Sequence, residues 1–137
     1  MMNSFLILAS LAAAQASPEY WVDPQSHLTW ALKDSQSGVS HLQAERYCAA
    51  AHDGGARDWR LPTIQELESL VGTPDTDGHR LKAPIKITGW EWSSSPGQQE
   101  GEAWALDFGD GGRASVSGGD SGLNRALCVK DPETKGR

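Results

Sequence analysis

Apolar and polar positions follow two different periods along this chain, and the switch between them lays out most of its elements. Tyr20-Trp21-Val22 reads as a short strand, Asp23-Pro24-Gln25-Ser26 as a turn, and Leu28 to Ala31 as the returning strand of a hairpin. Ser40 then opens a helix. Gln43 three residues later completes a capping box, and Leu42, Tyr47 and Cys48 ride on a helix that runs to about Ala51. The most informative stretch is Trp59 to Leu70. Pro62 holds Leu61 extended, Thr63 is an N-cap with Glu66 at N3, and Ile64, Leu67, Leu70 and Val71 share one helical face before Gly72. The spacing predicts a second helix to Val71.

Residues 72–87, with Pro74, Asp75, Asp77, Gly78, His79 and Pro84, read as a long surface loop. Beyond Gly89 the period falls to two. Trp92 begins a short strand that ends at Ser93-Ser94-Ser95-Pro96-Gly97. Ala103 to Phe108 puts Trp104, Leu106 and Phe108 on one face. Gly109-Asp110-Gly111-Gly112 is a hairpin turn, Arg113 to Val116 returns, Ser117 to Gly122 is a Gly/Ser loop, and Arg125 to Lys130 is a closing strand. The order predicts an α+β domain: two helices beside a short-stranded antiparallel sheet with long loops, the first and last strands lying close. Ile64, Leu67 and Leu70 are expected to face Trp104, Leu106 and Phe108.

Composition adds the compartment. Phe5 to Ala14 is an apolar run shorter than the roughly 20 residues that span a bilayer, and Ala14-Gln15-Ala16 is a small-x-small cleavage pattern. Residues 1–16 therefore read as a signal peptide, with an uncleaved anchor as the alternative. Residues 17–131 form the domain, and 132–137 a polar, flexible tail. An exported chain with one cysteine pair favours a Cys48–Cys128 disulfide; it would close a loop of about 80 residues and stabilise by about 4.5 kcal/mol. The expected location is secreted or periplasmic, with no stable membrane insertion after cleavage. The 137 residues carry a formal charge of -6. That excludes a phosphate-backbone partner, which needs clustered Lys and Arg, so no nucleic acid is expected.

Candidate chemistry is thin. Gly119-Asp120-Ser121-Gly122 resembles a serine-protease nucleophile loop, but the chain is too short for the barrels that hold such a triad, and a Gly/Ser loop is the better reading. His27, His41, His52 and His79 are scattered without ligand spacing. Asp75-Thr76-Asp77-Gly78 lacks the later ligands of a calcium loop; Asp107, Asp110 and Asp120 remain a possible convergence in space. No enzyme and no cofactor are expected. Six tryptophans supply core mass. Trp59, Trp92 and Trp104 are assigned to the core, and Trp90, between Gly89 and Glu91 at a loop end, is the one expected at the surface.

These residues resemble a known family. Trp21 to Trp30 is similar to its opening "D-x-x-T-G-L-M-W", Ala44 to Cys48 to "A-x-x-Y-C", and Asp58 to Leu67 to "D-W-R-L-P-T-I-x-E-L" almost residue for residue. Trp92 to Ser95 resembles "W-S-S-T/S", Ala103 to Gly111 "A-W-x-x-D/N-F-x-x-G", and Leu127 to Lys130 the closing "V-R-C-V-R". The family is the Lcl C-terminal domain family, named for a bacterial collagen-like adhesin. The resemblance implies a C-type-lectin-like fold in a cell-surface or secreted bacterial protein. The named adhesin domain binds sulfated glycans and trimerises, while this chain is acidic and has no collagen-like repeat to drive trimers.

The expectation is a non-enzymatic, exported binding or adhesion module. Its partner is a glycan or protein ligand on a cell surface, met by the loops 72–101 and 109–124, which are Gly-rich and suited to recognition on a rigid scaffold. The alternatives are a structural or assembly subunit of an envelope complex and, by analogy to the formylglycine-generating-enzyme fold, an enzyme. The candidate ligand-binding residues are Trp90, Glu91, Asp110, Arg113 and Asp120. Trp59, Arg60, Leu61, Pro62, Thr63, Glu66 and Leu67 are read as a folding motif that supports those loops without meeting ligand.

Overall fold

The computed structural model describes residues 19–133. The proposed signal segment lies outside the described residues. A first hairpin, β1 (Tyr20–Val22) and β2 (Thr29–Ala31), is closed by an Asp23 turn. The Asp23 carboxylate accepts from the Gln25 N–H (2.9 Å) and the Ser26 hydroxyl (3.1 Å). β2 also pairs with β9 (Val129–Lys130), so the ends of the domain meet in a three-stranded sheet ordered β1-β2-β9.

Both capping boxes form. In α1 (His41–Ala49) the Gln43 N–H donates to Ser40 Oγ (3.2 Å) and the Ser40 N–H to Gln43 Oε1 (2.9 Å). In α2 (Ile64–Glu68) the same exchange joins Thr63 and Glu66. α2 is shorter than its periodicity predicts. The Leu70 N–H turns back to the Leu67 carbonyl (3.0 Å), and the Leu70 carbonyl accepts from Lys82 (2.9 Å), which pulls the chain into a strand. That strand, β3 (Val71–Pro74), pairs with β4 (Arg80–Leu81). Residues 72–87 are thus not the free surface loop that their turn residues predict. Leu81, Ile85 and Ile87 are buried and roof the core over α2. Burial of three apolar residues outweighs the polar punctuation.

The main sheet has the order β7-β6-β5-β8: β5 (Trp90–Pro96), β6 (Glu102–Asp107) and β7 (Gly112–Ser117) are antiparallel, and β8 (Asn124–Arg125) runs parallel to β5. The predicted closing strand is divided between two sheets. Between β8 and β9, Ala126, Leu127 and Cys128 are buried and bond outward, to the Ser35 and Ala31 N–H groups through the Ala126 and Cys128 carbonyls. The molecule is α+β, with two helices and mixed, curled sheets.

One core lies on each side of β5 and β6. On the first side Ile64, Leu67 and Leu70 meet Leu106 and Phe108, with Trp104 half-buried at the margin, the pairing expected from the sequence. On the second side Ala44 and Cys48 of α1 meet Trp59, Trp92, Ala103 and Ala105. Cys48 and Cys128 form the disulfide, with Cα atoms 5.4 Å apart. Trp92 is wholly buried and donates its Nε1–H to the Val39 carbonyl (2.8 Å).

Candidate functional site

Alternation along β5 and β7 sends Trp90, Ala114 and Val116 to the α1 side of the sheet. They reach past the edge of that core and, with Asp120, Leu123 and Asn124, line a surface cleft of about 160 Å³. The cleft brings together two of the sequence-predicted residues, Trp90 and Asp120. Its walls are largely apolar, and Leu123 is an exposed leucine on its rim. The Asp120 carboxylate contributes acceptors; Oδ1 accepts from the Gly122 N–H (3.1 Å). Asn124 is buried beneath and donates through Nδ2 to the Asp120 carbonyl (3.2 Å).

The loop that carries Asp120 is pinned from several directions. The Gly118 carbonyl accepts from His41 at the start of α1 (2.8 Å), the Asn124 carbonyl from Val39 (2.9 Å), and the Leu123 carbonyl from Trp90 (3.1 Å). Gly38 lies so close to the loop that a Cβ there would run into the Ser121 carbonyl. A Gly/Ser loop that reads as flexible is therefore a seated wall of the cleft.

The remaining candidates lie elsewhere. Arg113 projects to the opposite side of the sheet, where its guanidinium carbon stands 4.4 Å from the centre of the Trp104 ring and Nη1 lies 3.8 Å from Glu68. Asp110 closes the β6–β7 turn by accepting from the Gly112 N–H (2.8 Å). Glu91 does not reach a surface at all: its side chain is fully buried. Register explains it. Trp90 and Glu91 are neighbours on β5 and point to opposite sides of the sheet, so only one of them can line the cleft. Burial first, and the Asp34 carboxyl beside it second, push the Glu91 carboxyl well above its ordinary range.

The residues of the folding motif pack and pair locally. Trp59, Leu61, Pro62 and Leu67 are buried. Arg60 grips Glu66 with both ends of its fork (2.9 and 3.0 Å), reaches Asp131 (2.6 Å), and exchanges two backbone hydrogen bonds with Val129 (2.8 and 2.9 Å). Burial alone would raise the Glu66 carboxyl, but the Arg60 fork and the Thr63 N–H overcome it and hold it below its ordinary value. Asp131 is lowered by the same guanidinium. The motif clamps α2 to the end of the chain, and Trp59, Arg60, Leu61 and Thr63 also line a surface hollow with Glu45, Ala49 and Ser94.

Sequence reasoning missed Asp34, Thr88, Leu123 and Asn124. Leu123 carried a signal: an isolated leucine in a Gly/Ser loop has no core to join locally. Asp34, in a polar run, carried none.

Fold and cleft together define a small, disulfide-stapled α+β domain with a shallow aromatic recess on one side of its sheet. The sequence model of the Lcl C-terminal domain matches residues 19–130, nearly the whole described chain. The chain belongs to the Lcl C-terminal domain family. No curated protein matches it.

Proposed function

We propose that this chain is an exported, non-enzymatic binding or adhesion module with a C-type-lectin-like arrangement, and that its ligand seats in the Trp90 cleft. The observation that carries this reading is the convergence of Trp90, Val116 and Leu123 with Asp120 in one recess. An indole beside aliphatic walls stacks on the apolar face of a sugar ring or covers an apolar side chain, and a carboxylate at the rim accepts hydroxyl or amide protons. Family membership supports a cell-surface or adhesion-related role. The disulfide supports an oxidising compartment, secreted or periplasmic. Among the described residues, no helix is long and apolar enough to cross a membrane.

The absence of Lys or Arg from the cleft lining favours an uncharged glycan over an anionic one. A glycan array, run with and without Ca²⁺ and paired with a pull-down from envelope extracts, tests the proposal. Array signal that Trp90→Ala abolishes at unchanged melting temperature supports it. A blank array with one stable protein partner that Trp90→Ala does not disturb would instead make the chain an assembly subunit.

A further inference from the structure

Glu91 on β5 and Asp34 on the segment after β2 are two carboxyl groups sealed from water side by side. Glu91 is 0 % exposed and Asp34 is 1 % exposed. Their hydrogen bonding is unequal. Asp34 Oδ1 accepts from the Gln36 N–H (2.9 Å) and the Thr88 hydroxyl (2.8 Å), and Oδ2 from the Thr88 N–H (2.8 Å). Neither oxygen of Glu91 has a donor. The donors satisfy both oxygens of Asp34. Two charged carboxylates side by side, one of them with no donor, would be costly to bury. The two side chains alone are too few to enclose a divalent cation, whose sites take six or more oxygens in the calcium case. A proton is the simplest neutraliser, and on Glu91 it becomes the hydrogen that Asp34 can accept.

The groups facing the pair fit this assignment. The Arg125 guanidinium on β8 favours ionisation of Glu91, but its Nε is spent on the Thr88 hydroxyl (3.1 Å). On β6 the residue across from Glu91 is Leu106. On α1 the Tyr47 phenol is raised by burial first and then by Asp53 and Asp34. Lys33 precedes Asp34 in the chain and bridges Lys86 through its backbone, and the Asp34 N–H donates to the Lys86 carbonyl (3.2 Å).

The position of the pair connects it to the cleft. Glu91 stands across from Arg125, and Trp90 across from Asn124, in the same parallel β5–β8 seam. β8 is two residues long, and its Asn124 together with the preceding Leu123 forms one wall of the recess. We propose that the Asp34–Glu91 pair holds a single proton, and that release of this proton loosens the β5–β8 seam and weakens ligand binding at Trp90. The second half rests on the binding function proposed above; the first half stands without it.

The test uses the full chain with no ligand. In protein carrying ¹³C at its glutamate carboxyl carbons, the Glu91 carbon is expected to titrate above the ordinary carboxylate range. The Trp90 indole N–H resonance is expected to move with the same midpoint, the melting temperature to fall as pH rises towards it, and Glu91→Gln to flatten both. A Glu91 carbon that titrates in the ordinary carboxylate range overturns the proton. So does Ca²⁺ alone raising the melting temperature of the natural chain but not of Glu91→Gln, which would assign the pair a cation. A Trp90 resonance indifferent to the Glu91 titration overturns the gate. If the titration holds while every array stays blank, the binding function fails and the proton survives.

Discussion

The two sides of the β5–β6 sheet solve the same packing problem differently. The α2 side is filled by branched and aromatic chains, Ile64, Leu67, Leu70, Leu106 and Phe108, under a helix of five residues. A helix that short is not stable by itself, so packing and the Arg60 clasp must hold it. The α1 side pairs small residues, Ala44, Ala103 and Ala105, with Trp59 and Trp92, and adds the Cys48–Cys128 bond. Alanines bring helix and sheet close, the indoles fill what remains, and the covalent link fixes the spacing. The stapled side also opens into the Trp90 cleft. Stability by volume and stability by cross-link are thus divided between the two sides, and the Trp90 cleft lies on the cross-linked one.

The largest effect should come from removing that link. Cys48→Ser with Cys128→Ser opens an 80-residue loop and is expected to cost about 4 kcal/mol, read by chemical denaturation. A loss below about 1 kcal/mol would make the two sides equivalent. On the other side, Leu67→Ala should cost about 3 kcal/mol by the same measurement, with no change in ligand affinity. An affinity change would show that the two cores are coupled.

A smaller effect, about 1 kcal/mol, is expected from Arg60→Ala, because the clasp is partly open to solvent. Its pH dependence is the sharper readout. Glu66 and Asp131 have folded-state values below their unfolded ones, so the clasp stabilises above the ordinary carboxylate range and is lost as pH falls through the lowered values. Arg60→Ala should therefore flatten the acid limb of the melting curve. Glu91 has the opposite sign: its raised value gives stability in acid that is lost as pH rises above the ordinary carboxylate range towards the raised value, so that loss should be unaffected by Arg60→Ala. The smallest stability effect belongs to Trp90→Ala, since the ring is only half-buried; a loss under about 1 kcal/mol with ligand binding abolished is expected. A loss comparable to that of Leu67→Ala would return Trp90 to the core.

What the sequence made legible follows how local each cause is. Capping boxes, the Asp23 turn and the period-two strand at Ala103–Phe108 need only neighbours, and the structure has them where expected. The cysteine bond was legible because only one pairing exists. The end of α2 was not, because Lys82 ends it from twelve residues away. Nor was the β3–β4 roof, because Leu81, Ile85 and Ile87 sit among turn residues and are recruited by a core that other segments build. Of the candidate site residues, Trp90 and Asp120 fell together, while Glu91 failed on a single step of register.

The bridge between Arg60 and Val129 has a consequence for timing. β9 completes the first sheet, the backbone ladder at Arg60 and, through the adjacent Cys128, the disulfide. All three closures wait for the last few residues of the domain. A chain synthesised or threaded from its N-terminus therefore cannot finish folding part-way, because α1, α2 and the hairpin are held to their final partner only at the end. A truncation just before Leu127 would remove the disulfide, the third strand of the first sheet and the backbone ladder at Arg60 together.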